Sequence, residues 1–66
     1  MAEKEKNRFY IYCEDDKSYF KHQDDFGHYF WTDKKEEAML MPVQYAEHIY
    51  EIFHKQGDTV WIGISL

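Results

Sequence analysis

The sequence predicts a small α+β domain in which one amphipathic helix covers one face of an antiparallel sheet. Two segments carry this prediction: a helical apolar stripe over residues 42–56 and an alternating apolar run over residues 59–66. A single helix can cover only one face of a sheet, so the opposite face is expected to be free for another use. At about 100° per residue, one half of the helical wheel carries all the apolar side chains of the first segment: Val43, Tyr45, Ala46, Ile49, Tyr50, Ile52 and Phe53.

Alternating side chains predict the strands. Residues 8–13 place Tyr10 and Tyr12 on the side opposite Phe9, Ile11 and Cys13. Residues 19–23 and 28–31 are predicted to form two further short strands of a three-stranded antiparallel meander. The turn between them, residues 24–27, ends in a glycine, Gly27, which can adopt a positive φ. The closing strand places two sets on opposite sides: Val60, Ile62, Ile64 and Leu66 against Thr59, Trp61, Gly63 and Ser65.

The residues between the third strand and the helix contain capping signals. Thr32 and Asp33 both suit an N-cap position, and Asp33 and Glu36 have capping-box spacing, which predicts a short helical turn through about Ala38. Residues 39–41 are predicted to be an extended connector whose side chains plug the gap before the helix. Pro42 suits the first helical position and Gly57 the C′ position. The expected order is therefore βββ-α-β, with the position of the last strand in the sheet left open.

Length and composition indicate how many domains the chain forms and in which compartment it is expected. The 66 residues predict one domain, residues 8–66, preceded by a charged leader, residues 1–7, that is expected to be flexible. Cys13 is the only cysteine and no secretory segment is present, which favours a reducing cytoplasmic setting. No run approaches the roughly 20 apolar residues of a membrane span. Because so short a chain buries a limited core, dense aromatic packing or a homodimer is expected to reinforce it.

The net charge argues against direct nucleic-acid binding. Thirteen acidic and eight basic residues give a formal charge of −5, which repels phosphate backbones. The same charge would suit a partner with a basic surface, or would serve solubility alone.

The outward-facing aromatic residues are the candidate partner-binding residues. If the last strand lies beside the first, Tyr10, Tyr12 and Trp61 share the uncovered face, with a shallow notch at Gly63. Three uses of this face are open: a dimer seam, a docking surface for another protein, or a stacking platform for bases. Stacking platforms normally have a cationic groove, whereas the few Lys and Arg residues here are interleaved with more carboxylates, so a protein contact is favoured.

The acidic residues suggest a second hypothesis, in which carboxylates imitate nucleic-acid phosphates and block a DNA- or RNA-handling enzyme. Such a mimic needs carboxylates aligned over tens of ångströms, since duplex DNA carries one charge per about 1.7 Å. The candidate acidic surface consists of Glu14, Asp15, Asp16, Asp24, Asp25, Glu47 and Glu51.

A third hypothesis is a small metal-binding protein that uses the turn from His22 to His28. The pattern His-x-Asp-Asp-x-x-His brings His22, Asp24, Asp25 and His28 close together in sequence. Structural zinc sites usually recruit thiolates or a defined set of four ligands, so no metal or other cofactor is predicted. The chain has no phosphate-binding loop, nucleophile elbow or paired buried carboxylates, and enzymatic activity is not expected.

The segment Tyr29-Phe30-Trp31-Thr32-Asp33-Lys34-Lys35-Glu36-Glu37-Ala38, followed by an amphipathic helix and a closing strand, resembles small phage- or prophage-encoded accessory proteins. The resemblance covers about the last forty residues and transfers no functional residue. It implies a small binder that inhibits or redirects a host enzyme in the host cytoplasm. A non-catalytic protein-binding module, with a host protein as its partner, is therefore the function that the sequence favours.

Overall fold

The computed structural model describes residues 7–65. Its sheet is antiparallel and has the strand order β3-β2-β1-β4, so the predicted α+β class is confirmed and the last strand lies beside the first. All of the predicted leader except Asn7 lies outside the described residues, as does Leu66. The elements are β1 (Phe9–Cys13), β2 (Ser18–Gln23), β3 (Tyr29–Thr32), a 3-10 turn (Lys35–Glu37), α1 (Val43–Lys55) and β4 (Val60–Ile64).

The predicted meander is matched only roughly, because β1 and β2 pair over just two positions next to their turn. Beyond that point the connector, residues 39–41, lies between the two strands. The Met39 N–H donates to the Phe20 carbonyl at 3.0 Å, and Met41 exchanges two backbone hydrogen bonds with Phe9 at 2.8 and 3.0 Å. The Met41 side chain is fully buried. The expected extended connector is thus present, and it supplies backbone pairing as well as side chains.

The C-terminal end of α1 forms as predicted. Gly57 has a φ of +94°, its N–H donates to the His54 carbonyl, and the Asp58 N–H donates to the Phe53 carbonyl. These bonds form a Schellman motif, which needs a residue that tolerates positive φ at C′. Gly27 likewise has a positive φ of +87°, as expected for its turn.

Two predictions about helix starts are wrong. Pro42 precedes the helix as its N-cap, with an extended ψ of 157°, and its carbonyl accepts the Ala46 N–H. The Asp33–Glu36 capping box does not form before the 3-10 turn. Instead, the Thr32 hydroxyl accepts a hydrogen bond from the Lys34 N–H at 3.1 Å and donates to Glu37 Oε1 at 2.8 Å.

The core lies between α1 and the inner face of the sheet. Phe53 supplies aromatic contacts between helix and sheet, with its ring centroid 4.9 Å from Tyr29 and 5.0 Å from Trp31 in edge-to-face geometry. Cys13 is buried, as its strand parity predicts. In the described residues, no helix has both the length and the apolar character needed to cross a membrane. The buried apolar residues are Ile11, Cys13, Phe20, Met41, Ala46, Ile49, Phe53 and Val60.

Candidate protein-binding face

The three predicted partner-binding residues lie on the face of the sheet opposite α1. Tyr10 pairs with Gly63 and Tyr12 pairs with Trp61 across the β1–β4 ladder. Residues that are paired in this way project to the same side of a sheet. Tyr10, Tyr12 and Trp61 therefore form one surface, because β4 lies beside β1.

Tyr19 completes this surface and is absent from the predicted set. It pairs with Tyr12 across β1 and β2, and its ring centroid lies 5.0 Å from Tyr12 and 5.7 Å from Tyr10. The short turn between β1 and β2 fixes this register, so hairpin pairing was the signal that could have identified it. We call Tyr10, Tyr12, Tyr19 and Trp61 the aromatic face.

The aromatic face surrounds a shallow open depression of about 220 Å³ that is lined by its four rings and by Gly63. Trp61 is 55 % exposed. Because tryptophan is a large side chain, this fraction corresponds to a large apolar surface. Pockets for small molecules usually have a larger volume, about 300–1,000 Å³. The depression is therefore better suited to one side chain of a macromolecular partner than to an enclosed ligand.

The predicted notch at Gly63 is largely filled by this protein's own Tyr10. A Cβ atom added at Gly63 would overlap the Tyr10 ring. Cross-strand aromatic residues often cover a strand glycine in this way. The lack of a side chain at position 63 thus lets Tyr10 lie flat on the sheet.

Two carboxylates from the β1–β2 turn hold the start of β4 and the Trp61 side chain. Glu14 Oε1 accepts a hydrogen bond from Trp61 Nε1 at 2.9 Å, and Asp15 Oδ2 accepts one from the Thr59 N–H at 2.9 Å. Both belong to the predicted acidic surface. The first bond fixes the indole orientation while leaving its ring exposed, so the acidic turn helps to preorganise the aromatic face.

Cationic side chains lie at the other end of this face. The Lys35 ammonium is 5.3 Å from the centroid of the Tyr10 ring, within the range of a cation–π contact. Lys21 Nζ is 3.9 Å from Glu37 Oε1. The hydrogen bond from the Thr32 hydroxyl, helped by Lys21 and Lys34, lowers the pKa of Glu37 despite partial desolvation.

The four residues of the metal-binding hypothesis do not form one ligand group. Asp24 Oδ1 accepts the backbone N–H groups of Phe26 and His28 at 2.9 and 2.8 Å, and Oδ2 lies 3.1 Å from His28 Nδ1. His22 instead stacks on Phe30, with centroids 4.6 Å apart. Within residues 7–65, no three His, Cys, Asp or Glu side chains are grouped so that they could hold a metal ion.

The hydrogen bonds that Asp24 accepts explain why the pKa of its carboxyl is lowered. Desolvation raises the pKa of this carboxyl, but hydrogen bonds from the His28 backbone and side chain and from the Phe26 N–H outweigh it, with help from nearby His22, so the pKa is lowered. Asp24 therefore serves as the hydrogen-bonding centre of its turn.

The predicted acidic surface is divided among three places. Glu14 to Asp16 and Asp24 to Asp25 lie at opposite ends of β2, which at about 3.3 Å per residue separates them by roughly 20 Å. Glu47 and Glu51 lie on α1 and are exposed. The helix covers the inner face of the sheet, so these two carboxylates are on the opposite side from the aromatic face.

Comparison of the chain with protein-family models, with curated proteins and with solved structures finds no match. The function of the chain must therefore be inferred from its exposed aromatic side chains, its hydrogen bonds and its charges.

Proposed function

We propose that this protein is a non-catalytic protein-binding module whose partner docks on the aromatic face. The observation that carries the proposal is the exposed Trp61 beside three contacting tyrosines, around a depression that no residue of the described chain fills. Tyrosine and tryptophan bury large areas at a low cost in side-chain entropy and are enriched at the energetic centres of interfaces. The hydrogen bond to Glu14 further reduces the entropy that Trp61 would lose on binding.

A protein is a better partner for this face than a nucleic acid. Exposed base-stacking residues normally accompany a cationic groove that follows the backbone. Here Glu14 and Asp15 lie at the Trp61 end of the face, and the chain carries a net charge of −5. A phosphate backbone would be repelled there, whereas a partner protein can place apolar side chains on the rings and basic ones near the carboxylates.

In biological terms, we propose that the chain acts as a phage-type modulator or inhibitor of a host enzyme, in the host cytoplasm. The support for this is the resemblance of residues 29–38 and the following helix and strand to phage accessory proteins. Homodimer formation belongs to the same proposal, because the small core of a 66-residue chain gains stability from association.

The test is a tagged pull-down from bacterial lysate that compares three proteins: the wild type, Trp61→Ser and Phe26→Ser. Phe26 is the matched control, since it is an aromatic residue that is 85 % exposed and lies at the distant β2–β3 turn. We expect a protein that is captured at both low and high salt by the wild type and by Phe26→Ser, and lost with Trp61→Ser. Equal capture by all three proteins would contradict docking on the aromatic face.

The second candidate function is acidic mimicry of a nucleic acid. It is favoured by the excess of carboxylates, most of which are exposed. It predicts capture of a nucleic-acid enzyme that is lost at high salt, because screening weakens contacts between exposed charges, and that survives Trp61→Ser. The two candidates therefore give opposite results in the same pull-down.

A further inference from the structure

β4 is an edge strand, and within residues 7–65 its outer side has no partner strand. In the β1–β4 ladder, the Ser65 N–H donates to the Arg8 carbonyl and the Glu14 N–H donates to the Thr59 carbonyl. Because hydrogen-bonding direction alternates along a strand, residues 59, 61, 63 and 65 direct their backbone groups toward β1. The N–H and C=O groups of Val60, Ile62 and Ile64 therefore point away from the sheet.

Nothing in the sequence of this edge discourages pairing. Natural edge strands are usually interrupted by a charge, a proline or a bulge. The segment Val60-Trp61-Ile62-Gly63-Ile64 contains no charge and no proline, and its five residues pair with β1 in continuous register without a bulge. Within residues 7–65, no strand pairs with its outer side.

We infer that β4 pairs antiparallel with β4 of a second copy of this chain, about a two-fold axis at Ile62. In this register Ile62 faces the partner copy's Ile62, and Val60 faces the partner copy's Ile64. The backbone groups of Val60, Ile62 and Ile64 that point away from the sheet then form hydrogen bonds with the second copy. The two four-stranded sheets become one eight-stranded sheet. The interface runs along the β4 edge beside the aromatic face, and it rests on the homodimer of the proposed function, to which it gives a specific arrangement.

The side chains on the inner face fit this register. Ile64 is 46 % exposed, although it lies on the same side of β4 as the buried Val60. An open depression of about 270 Å³ lies at the other end of the strand, bordered by Tyr50, His54 and Val60. Since Val60 faces Ile64 of the second copy, each exposed isoleucine enters the other copy's depression.

Helix spacing is consistent with the same arrangement. The helix α1 lies over β1 and β4, whose axes are about 4.8 Å apart. A two-fold axis beyond β4 then places the two copies of α1 side by side at roughly 10 Å, which is an ordinary distance for packed helices. The two helices would therefore meet without forcing the sheets apart.

Charge complementarity favours a second copy in this antiparallel direction. Glu14 and Asp15 lie at the Thr59 end of β4, whereas Arg8 lies at its Ser65 end and Lys35 lies over Tyr10, which pairs with Gly63. An antiparallel pair places the acidic end of each copy next to the basic end of the other. A parallel pair would bring like charges together.

The same register joins the two aromatic faces. Trp61 of each copy lies directly opposite the other copy's Gly63, over which the Tyr10 ring of that copy lies. Each tryptophan therefore meets an aromatic ring across the axis. The dimer would present both aromatic faces on one side of the sheet, while both helices lie on the other side.

Sedimentation equilibrium from micromolar to millimolar concentration tests this interface. We expect the wild-type mass to rise from 8.1 kDa toward twice that value, and Ile64→Asp to weaken dimerisation by about a hundredfold or more, because it introduces two unpaired carboxylates into the interface. Phe30→Asp is the matched control, since Phe30 lies on β3 at the opposite edge and is 42 % exposed. It should leave the association unchanged.

A second measurement keeps the inference testable if Ile64→Asp fails to fold. Amide hydrogen exchange of the wild type should slow at Ile62 as the concentration rises, while amides of β3 stay unchanged. A mass of 8.1 kDa at every concentration would overturn the inference. So would a dimer that is lost in Phe30→Asp but retained in Ile64→Asp. Because these experiments use the isolated chain, they can fail or succeed independently of the pull-down.

Discussion

The two faces of the sheet carry similar aromatic clusters that differ in what covers them. On the inner face, Phe20 contacts Tyr29, Trp31 and Phe53, with centroids 5.8 to 6.4 Å apart, and it is fully buried. On the outer face, the Tyr19 ring centroid lies 5.7 Å from Tyr10 and 5.0 Å from Tyr12, yet no helix of residues 7–65 lies over these rings.

The comparison shows that residue type does not decide which aromatic residues stabilise the fold. Strand parity and the position of α1 decide it. The buried inner rings of Phe20 and Phe53 are held by contacts on several sides, so the loss of either leaves a cavity. The outer rings keep an exposed side, so their contribution to stability is smaller and their apolar surface is left for a partner. Three predictions test this contrast.

The largest effect is expected for Phe20→Ala. Truncating a fully buried phenylalanine costs about 3–5 kcal/mol, and a domain of this size has a total stability of roughly 3–10 kcal/mol. We therefore expect most of the variant to be unfolded, or to unfold at much lower urea concentration by circular dichroism. Trp61→Ser is the comparison on the outer face, with an expected loss below about 1 kcal/mol. Similar losses in both variants would mean that the outer face is also part of the core.

An intermediate effect is expected for Gly63→Ala. The new methyl group would overlap the Tyr10 ring, and displacing a packed side chain costs about 1–3 kcal/mol. Thermal unfolding of Gly63→Ala, Tyr10→Ala and the double variant forms a mutant cycle. The alanine at position 63 should be destabilising when Tyr10 is present and nearly neutral when it is absent. Additive effects would show that the ring does not lie over the glycine in solution.

The smallest effect concerns pH and the Thr32–Glu37 bond at the edge of the outer face. A carboxyl whose pKa is lowered by folding adds stability above its unfolded pKa, and this stability is lost as the pH falls through the folded pKa. Thr32→Val removes the main cause of the lowered pKa of Glu37, so that pKa should rise toward the ordinary glutamate value. NMR titration of the Glu37 carboxyl measures the shift. An unchanged midpoint would indicate that the lysines, instead of the hydroxyl, hold the carboxylate.

Local patterns predicted much of the fold. The helical stripe gave the correct buried face of α1, with Ala46, Ile49 and Phe53 at its centre, and Gly57 gave the correct end of the helix. These features depend on residues within a few positions of each other. The assignment of Pro42 to the first helical position was wrong because proline's fixed φ suits both that position and the N-cap, and only the observed ψ distinguishes them.

Competition between neighbouring groups explains the other local error. Thr32 and Asp33 can both cap a helical turn, and spacing to Glu36 favoured Asp33. In the structure the Thr32 hydroxyl both accepts and donates a hydrogen bond, which a carboxylate cannot do. The sequence allows either Thr32 or Asp33 to cap the turn, and which of them does so depends on where β3 ends.

Long-range pairing could not be predicted from the sequence alone. The aromatic face exists because β4 joins β1, and the prediction of Tyr10, Tyr12 and Trp61 as one surface depended on that arrangement. The insertion of residues 39–41 between β1 and β2 was not predicted, because periodicity describes which side a residue faces and not which strand lies next to it. Whether these residues bind a partner stays a prediction.

The connector between β1 and β2 also has a consequence for how the chain folds. Phe9 and Met41 form a backbone bridge although they are far apart in sequence, so the first hairpin cannot complete its hydrogen bonds until the segment after β3 returns. Contacts between distant residues slow folding, because loop closure costs entropy before they form. An isolated fragment that ends after β3 would therefore lack the backbone partners of Phe9 and Phe20, and the early and late parts of this chain should acquire structure in a single cooperative step.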